Sequence, residues 1–466
     1  MKCLIPFKRL FEPFKVISII PLFIYTLFLT TNVFGAPLSR SQSSSSPSSY
    51  NIVSSNLCDD GVKQYSGYID INPSNHMFFW FFEARNNPET APLTLWLTGG
   101  PGCSSLNGLF VELGPCKTQN NGTSTVTNVD SWNDVSNIIF LDEPIGVGFS
   151  YSDGEYNVTS TEQAAADMYT FLHLFFKKFP QYSNSEFHIF GESYGGRFVI
   201  SLAKYIIDMN ETGKEKINLK SVGIGNAFIN SLIQWKSLET FAANNSYVTV
   251  NDTIINQMHN AWPTCEQATI KCNQEKVLAD CQNAQMVCDG TTTSYAGYFF
   301  NAGLNFYDVR EPIESMNNVL SPDYVNYLTK PDVLQAIGAS DKTKYLLCSE
   351  KALMNLAAEE AIDFSSTLEF LLQNGVKTLI YHGDADWICN WKGGLDMALN
   401  LDWEYKSEFS SAPMKEWFVD GISAGQIKCA NVLTFVTIYK AGHESPSDQP
   451  KSALNMFSKW LSNQNL

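Results

Sequence analysis

Past residue 58 the chain alternates between two hydrophobic patterns. Short, unbroken apolar blocks occur at residues 76–83 (HMFFWFFE), 93–97 (LTLWL), 137–141 (NIIFL), 187–190 (FHIF), 222–225, 378–382 (TLIYH) and 433–439 (LTFVTIY). Blocks of this length without polar alternation predict strands buried on both faces. Between them lie runs of helical period. In residues 161–179, Ala164, Met168, Phe171, Leu172, Phe175 and Phe176 share one helical face, and Thr161 can cap the start. A second helical run covers residues 198–209. Alternation of this kind predicts an α/β chain with a mostly parallel central sheet and helices on both faces. Residues 231–330 break the rhythm, being helix-prone without strand alternation, and read as a helical cap inserted into a core of 57–230 and 331–466.

The N-terminal 36 residues follow another logic. Lys2, Lys8, Arg9 and Lys15 precede an apolar run at 16–29, and small residues follow at Gly35 and Ala36. This is the pattern of a cleaved signal peptide. The competing reading, a membrane anchor, is disfavoured because the run is about 14 residues and holds Pro21, against ~20 needed to span a bilayer. Residues 37–56 are Ser-rich and predict a flexible leader, with ordered structure starting near Cys58. The expectation is a secretory-pathway protein with no membrane anchor after cleavage, secretion being favoured over a vacuolar or lysosomal address.

Charge narrows the partners. A net charge of −16 offers no basic surplus to neutralise phosphates, which excludes nucleic acid as a partner. Ten of the eleven cysteines lie beyond the signal segment, and Cys265, Cys272, Cys281 and Cys288 crowd together. In an oxidising route these predict disulfides. Their wide spacings do not fit the tight pairs of zinc sites, and no metal or cofactor is expected. Sequons at Asn121, Asn157, Asn210, Asn244 and Asn251 predict N-glycosylation.

The sharpest chemical signal is Gly191-Glu192-Ser193-Tyr194-Gly195, placed between a predicted strand and a predicted helix. In that context G-x-S-x-G is the nucleophile elbow of an α/β-hydrolase, whose partners follow in the order Ser, acid, His. Three histidines lie downstream. His443 stands in a loop after a strand, His259 in the cap, and His382 at a strand end where a structural role is expected. Either Asp384 or Asp386 could orient the imidazole on these grounds.

Together with the elbow, residues 65–68 (YSGY), 79–85 (FWFFEAR), 95–105 (LWLTGGPGCSS), 113–115 (LGP), 146–152 (GVGFSYS), Asn390-Trp391 and Gly442-His443 resemble the serine carboxypeptidase family. The resemblance spans about 58–460. It implies a triad of Ser193, Asp386 and His443, and an oxyanion hole from the N–H groups of Gly100 and Tyr194. It also implies that Thr98, Gly99, Glu112 and Glu192 bind the carboxylate of a peptide's free C-terminus, with C-terminal residues released at acidic pH through an acyl-enzyme. Close carboxyl groups can do this only by sharing protons. A Cys103–Cys348 disulfide matches the family, as does a free thiol at Cys389. Bridges 265–288 and 272–281 would nest across a helical hairpin. Cys58–Cys116 is a further candidate, and Cys429 is unassigned.

Two positions depart from the family pattern. Thr98 replaces the usual Asn, exchanging an amide donor for a hydroxyl, and keeps open an acyltransferase or esterase with the same triad. Arg197 stands where His is common and is expected to pair with a carboxylate. A non-catalytic binding protein is disfavoured by the intact triad set.

Overall fold

Residues 49–466, apart from 214, 291–292, 301 and 317–321, are described by a computed structural model. The expected signal peptide (1–36) and residues 37–48 of the expected leader lie outside the described residues. In chain order the strands are β1 (Tyr50–Val53), β2 (Gln64–Asn72), β3 (Asn75–Phe82), β4 (Leu93–Leu97), β5 (Cys116–Gln119), β6 (Ser124–Thr127) and β7 (Asn137–Leu141). They continue with β8 (Tyr151–Ser152), β9 (Phe187–Glu192), β10 (Leu219–Gly225), β11 (Lys377–Gly383), β12 (Lys415–Val419), β13 (Ile422–Ala430) and β14 (Leu433–Ile438).

Twelve of these form one sheet in the order β1-β2-β3-β7-β4-β9-β10-β11-β14-β13-β12, with β8 paired to β3. The run from β7 to β14 is parallel, and antiparallel strands flank it on both sides. The solid apolar blocks are explained by burial on both faces. Along β3, Phe79 and Phe81 enter one core with Phe171, Phe175 and Phe198. Their neighbours Phe78, Trp80 and Phe82 enter the other, with Trp132 and Phe457. Strand period two thus sends alternate aromatics to opposite layers.

Helices α1 (Thr161–Lys178) and α2 (Gly195–Glu211) cover the first face, and a helix at Pro450–Leu461 covers the second. The start of α1 differs from expectation. Ser160 is the N-cap, accepting from the Gln163 N–H, while the Thr161 hydroxyl turns inward to Tyr194 and Glu359.

The leader also needs correction. Ordered chain begins before Cys58, because residues 50–53 form β1, an edge strand antiparallel to β2. Tyr50 and Ile52 pack against the core, and the Tyr50 hydroxyl donates to the Leu174 carbonyl at 3.4 Å. Two apolar side chains at period two suffice to seat four residues on an existing edge.

Between β10 and β11 the chain makes a long excursion through α3 (Ser231–Asn244), α4 (Asp252–Glu275) and α5 (Leu278–Asp289). It builds a separate small core around Trp235, Phe241, Trp262 and Tyr295. Cys265–Cys288 and Cys272–Cys281 staple α4 to α5. Cys58–Cys116 and Cys103–Cys348 are also bonded, leaving Cys389 buried and Cys429 exposed as free thiols. No helix among the described residues is long and apolar enough to cross a membrane.

Candidate active site

β9 runs straight into the elbow. Ser193 has φ +61°, a left-handed conformation costly for a residue with a side chain, and α2 starts two residues later. Close packing explains the glycines. A Cβ at Gly191 would lie 2.6 Å from the Leu97 carbonyl oxygen, and one at Gly195 only 2.4 Å from it. The end of β4 therefore presses against both flanks of the turn. The loop after β4 comes equally near, since a Cβ at Gly99 would stand 2.6 Å from the Tyr194 nitrogen. Gly99 and Gly100 are thus brought beside the first N–H after Ser193.

The acid and the imidazole come from the loops after β11 and β14, the second and third strands beyond β9 in the sheet. His443 Nδ1 lies 2.8 Å from Asp386 Oδ2, and both residues are buried. Asp386 also accepts from Asn226 Nδ2 at 2.8 Å and from the Cys389 N–H at 3.2 Å. Asp384 points elsewhere and accepts from the Tyr247 hydroxyl at 2.7 Å. The geometry therefore pairs His443 with Asp386, the choice that residue types alone left open. His382 is fully buried, with Nδ1 at 2.8 Å from the Cys389 carbonyl, and burial pushes its pKa down to about 4. His259 is exposed on α4 beside Glu239.

Ser193 and His443 line one cleft together with Thr98, Gly99, Gly100 and Glu192. Glu112 is enclosed at the end of a short helical turn, Gly108–Glu112, and its carboxyl and that of Glu192 act on each other electrostatically. Neither Glu112 oxygen receives an N–H or hydroxyl donor. Burial, reinforced by the charge of Glu444, pushes the Glu112 carboxyl up to about 8; burial and then Glu112 push Glu192 well above the ordinary range. The pair is therefore protonated through the acid range and into neutral pH. The Thr98 oxygen accepts the Trp96 indole N–H at 3.1 Å, which leaves its hydroxyl proton for a ligand.

Several residues of the site carried no signal that sequence reasoning used. Asn107 and Glu444 also line the cleft, with Asn107 Nδ2 donating to Glu444 Oε1 at 2.9 Å. Glu444 adjoins His443 and could have been found by that adjacency. Tyr307 reaches the cleft from the long excursion, its ring 5.0 Å from the imidazole. Main-chain bonds of that segment clamp the site: Val309 N–H to Ala385, Trp387 N–H to Phe306, and His443 N–H to Tyr307.

Arg197 departs from its expected ion pair. Its guanidinium donates to the main-chain carbonyls of Phe228, Glu359 and Glu360. The nearby Glu359 carboxylate is taken up by Thr161 and the Tyr194 hydroxyl, so the arginine braces the back of the elbow. Asp386, Cys389 and His443 bring possible metal-ligand atoms within 4.8 Å of one another. Asp386 Oδ2 is already occupied by two donors, so the set fits a carboxylate that orients the imidazole better than a metal site. Of the five sequons, Asn121, Asn157, Asn244 and Asn251 are exposed, while Asn210 is half-buried with both amide atoms bonded to Ile217.

The chain is similar to known proteins. The chain is 38% identical over 426 residues to carboxypeptidase S1 of Penicillium janthinellum, covering 87% of this chain and 97% of that one. It is 38% identical over 410 residues to carboxypeptidase Y of Candida albicans, covering 86% and 74%. The crystal structure of the prohormone-processing carboxypeptidase Kex1(delta)p from Saccharomyces cerevisiae superposes with a TM-score of 0.75 at 24% identity, over 88% of this chain and 93% of that one, and so shares the α/β-hydrolase fold. Residues 57–463 match the model of the serine carboxypeptidase family, and the chain belongs to that family as a serine-type carboxypeptidase.

Proposed function

We propose that Ser193, His443 and Asp386 carry out the hydrolysis and that the Glu112–Glu192 pair restricts it to free C-termini. The Ser193 hydroxyl attacks the last peptide carbonyl and passes its proton to His443 Nε2, while Asp386 stabilises the imidazolium. The N–H groups of Gly100 and Tyr194 receive the developing oxyanion, a service worth about 3–4 kcal/mol per donor in comparable sites. His443 then protonates the departing amine, and water resolves the acyl-enzyme by the reverse sequence.

Recognition of the terminal carboxylate follows from protonation. Two ionised glutamates would repel it, whereas a protonated Glu192 donates to it, joined by the Thr98 hydroxyl and the Gly99 N–H. The observation that carries this reading is an enclosed acid pair, lacking fixed donors, in the wall of the cleft that holds Ser193. Secretory targeting, N-glycans on the sequons and disulfide formation in an oxidising compartment complete the reading.

A peptide blocked at its N-terminus, offered with a free and with an amidated C-terminus, tests it. Release of the last residue from the free form alone is expected. Equal cleavage of both forms overturns carboxylate recognition. Ester cleavage without peptide cleavage would instead identify an acyltransferase or esterase.

A further inference from the structure

Asn226 follows β10 directly, is fully buried, and has φ +41°, a backbone conformation that asparagine tolerates better than most residues. Its carboxamide joins three segments. Nδ2 donates to Asp386 Oδ2 at 2.8 Å, the same oxygen that meets His443, and lies 3.4 Å from the Gly442 carbonyl. Oδ1 accepts the Gly383 N–H at 3.3 Å and the Ser445 hydroxyl at 2.8 Å. Reversing the amide would set an oxygen against the Asp386 carboxylate and an NH2 against the Gly383 N–H, so its orientation is chemically determined.

Resting on the triad reading above, we propose that Asn226 is a positioning residue that sets both the rotation of the Asp386 carboxylate and the proton affinity of His443. Among the described residues, Asp386 Oδ1 is held only by the Cys389 N–H at 3.2 Å. Without Asn226, Oδ2 loses its second donor and the carboxylate turns more freely. The second effect is electrostatic. A neutral donor on Oδ2 draws charge from the oxygen that stabilises the imidazolium, and removing it makes His443 a stronger base. The other ionisable groups facing the pair are Glu192 and Glu444 on the cleft side, with His382 and Cys389 behind. None of these donates to Asp386 Oδ2.

The test uses the full-length protein and the rate of Ser193 labelling by a fluorophosphonate, followed from about pH 4 to 9. The reagent has no terminal carboxylate, so Glu112 and Glu192 play no part in holding it. Asn226→Asp and Asn226→Gly both accept the left-handed backbone. Asn226→Gly is expected to label at least about tenfold slower at its plateau, from loss of orientation. In Asn226→Gly the midpoint of the rise should also move up, by about half a pH unit, because Asp386 Oδ2 has lost a donor. In Asn226→Asp the new carboxyl, 2.8 Å from Asp386, shares a proton with it and should split the rise into two steps.

A folded variant with the wild-type plateau and midpoint overturns the proposal, as does a lowered Tm with an unchanged profile. If both variants fail to fold, Ser445→Ala frees one side of the amide. It should move the midpoint the same way by less, and no movement overturns the proposal. Asp386→Asn separates the two readings. Wild-type labelling there defeats the triad itself, whereas slow labelling beside unchanged Asn226 variants defeats only this inference.

Discussion

The main-chain N–H of His443 donates to the carbonyl of Tyr307 at 2.7 Å, so the histidine loop is fastened to the long excursion between β10 and β11 as well as to the sheet. Arg310 reinforces the attachment three residues later. Its guanidinium bonds to Asp308, to the Lys440 carbonyl at 2.5 Å, and to Asp448 at 3.1 Å, while Asp448 accepts the Gly442 N–H at 2.6 Å. The residue just before His443 is thus held by a carboxylate that an arginine holds in turn.

Arg310→Met should therefore lower kcat by about tenfold, because misplacement of a general base by ~1 Å costs up to about a hundredfold. KM for a good peptide should change little, since Thr98, Gly99 and Glu192 are untouched. Steady-state kinetics check the split. A rise in KM at constant kcat would contradict it.

The two faces of the sheet explain what was legible beforehand. β4 and β7 match their predicted bounds because strands covered on both sides leave no polar interruption. β1 escaped because four edge residues after a serine run need only Tyr50 and Ile52 to dock. At the site, the elbow stood out because packing forces glycine at 191 and 195. Asn226 did not, since an asparagine after a strand reads like any turn residue. The Tyr307 and Phe306 clamps work through main-chain carbonyls, which leave no side-chain signature at all.

Glu192 and Glu112 should be separable by substitution. Glu192→Gln keeps a hydrogen-bond donor toward the substrate carboxylate without needing a proton, so KM should lose most of its dependence on pH. The Glu112→Gln variant removes the partner that helps keep Glu192 protonated. In the wild type, KM for a free C-terminus should rise as pH climbs through about 8, where Glu112 gives up its proton and adds a negative charge beside the substrate carboxylate. Michaelis constants at pH 5, 7 and 9 decide this, and a KM that falls with pH would defeat the shared-proton account.

Thr98→Val should raise KM for free C-termini by about tenfold to a hundredfold, the loss of one hydrogen bond to a charged group. It also leaves the buried Trp96 N–H without its acceptor, at a cost of about 1–3 kcal/mol. Thr98→Ser keeps the hydroxyl and should retain both binding and stability. Comparison of Tm and KM for the two variants distinguishes a binding hydroxyl from a purely structural one, for which only Tm would move.

Stability itself should decline as the solution becomes less acidic. Asp142 is pushed up to about 7 by burial, against which the Ser104 hydroxyl works, and Glu143 is pushed well above its ordinary range by burial and by Asp142. Neither Glu143 oxygen has a hydrogen-bond partner. These groups ionise near pH 4 to 4.5 when the chain is unfolded and far later when folded, so between those limits the native state binds more protons. The protonated native form is fully favoured below the unfolded values and loses that advantage as pH rises toward the folded ones. Tm should thus be highest near pH 4 to 5 and fall steadily to pH 8. Glu143→Gln, which cannot ionise, should flatten part of the slope and raise Tm at pH 8 while leaving Tm at pH 4 nearly unchanged. Calorimetric scans at the two pH values check both statements, and a wild-type Tm that rises toward pH 8 would mean that these carboxyls ionise freely inside the fold.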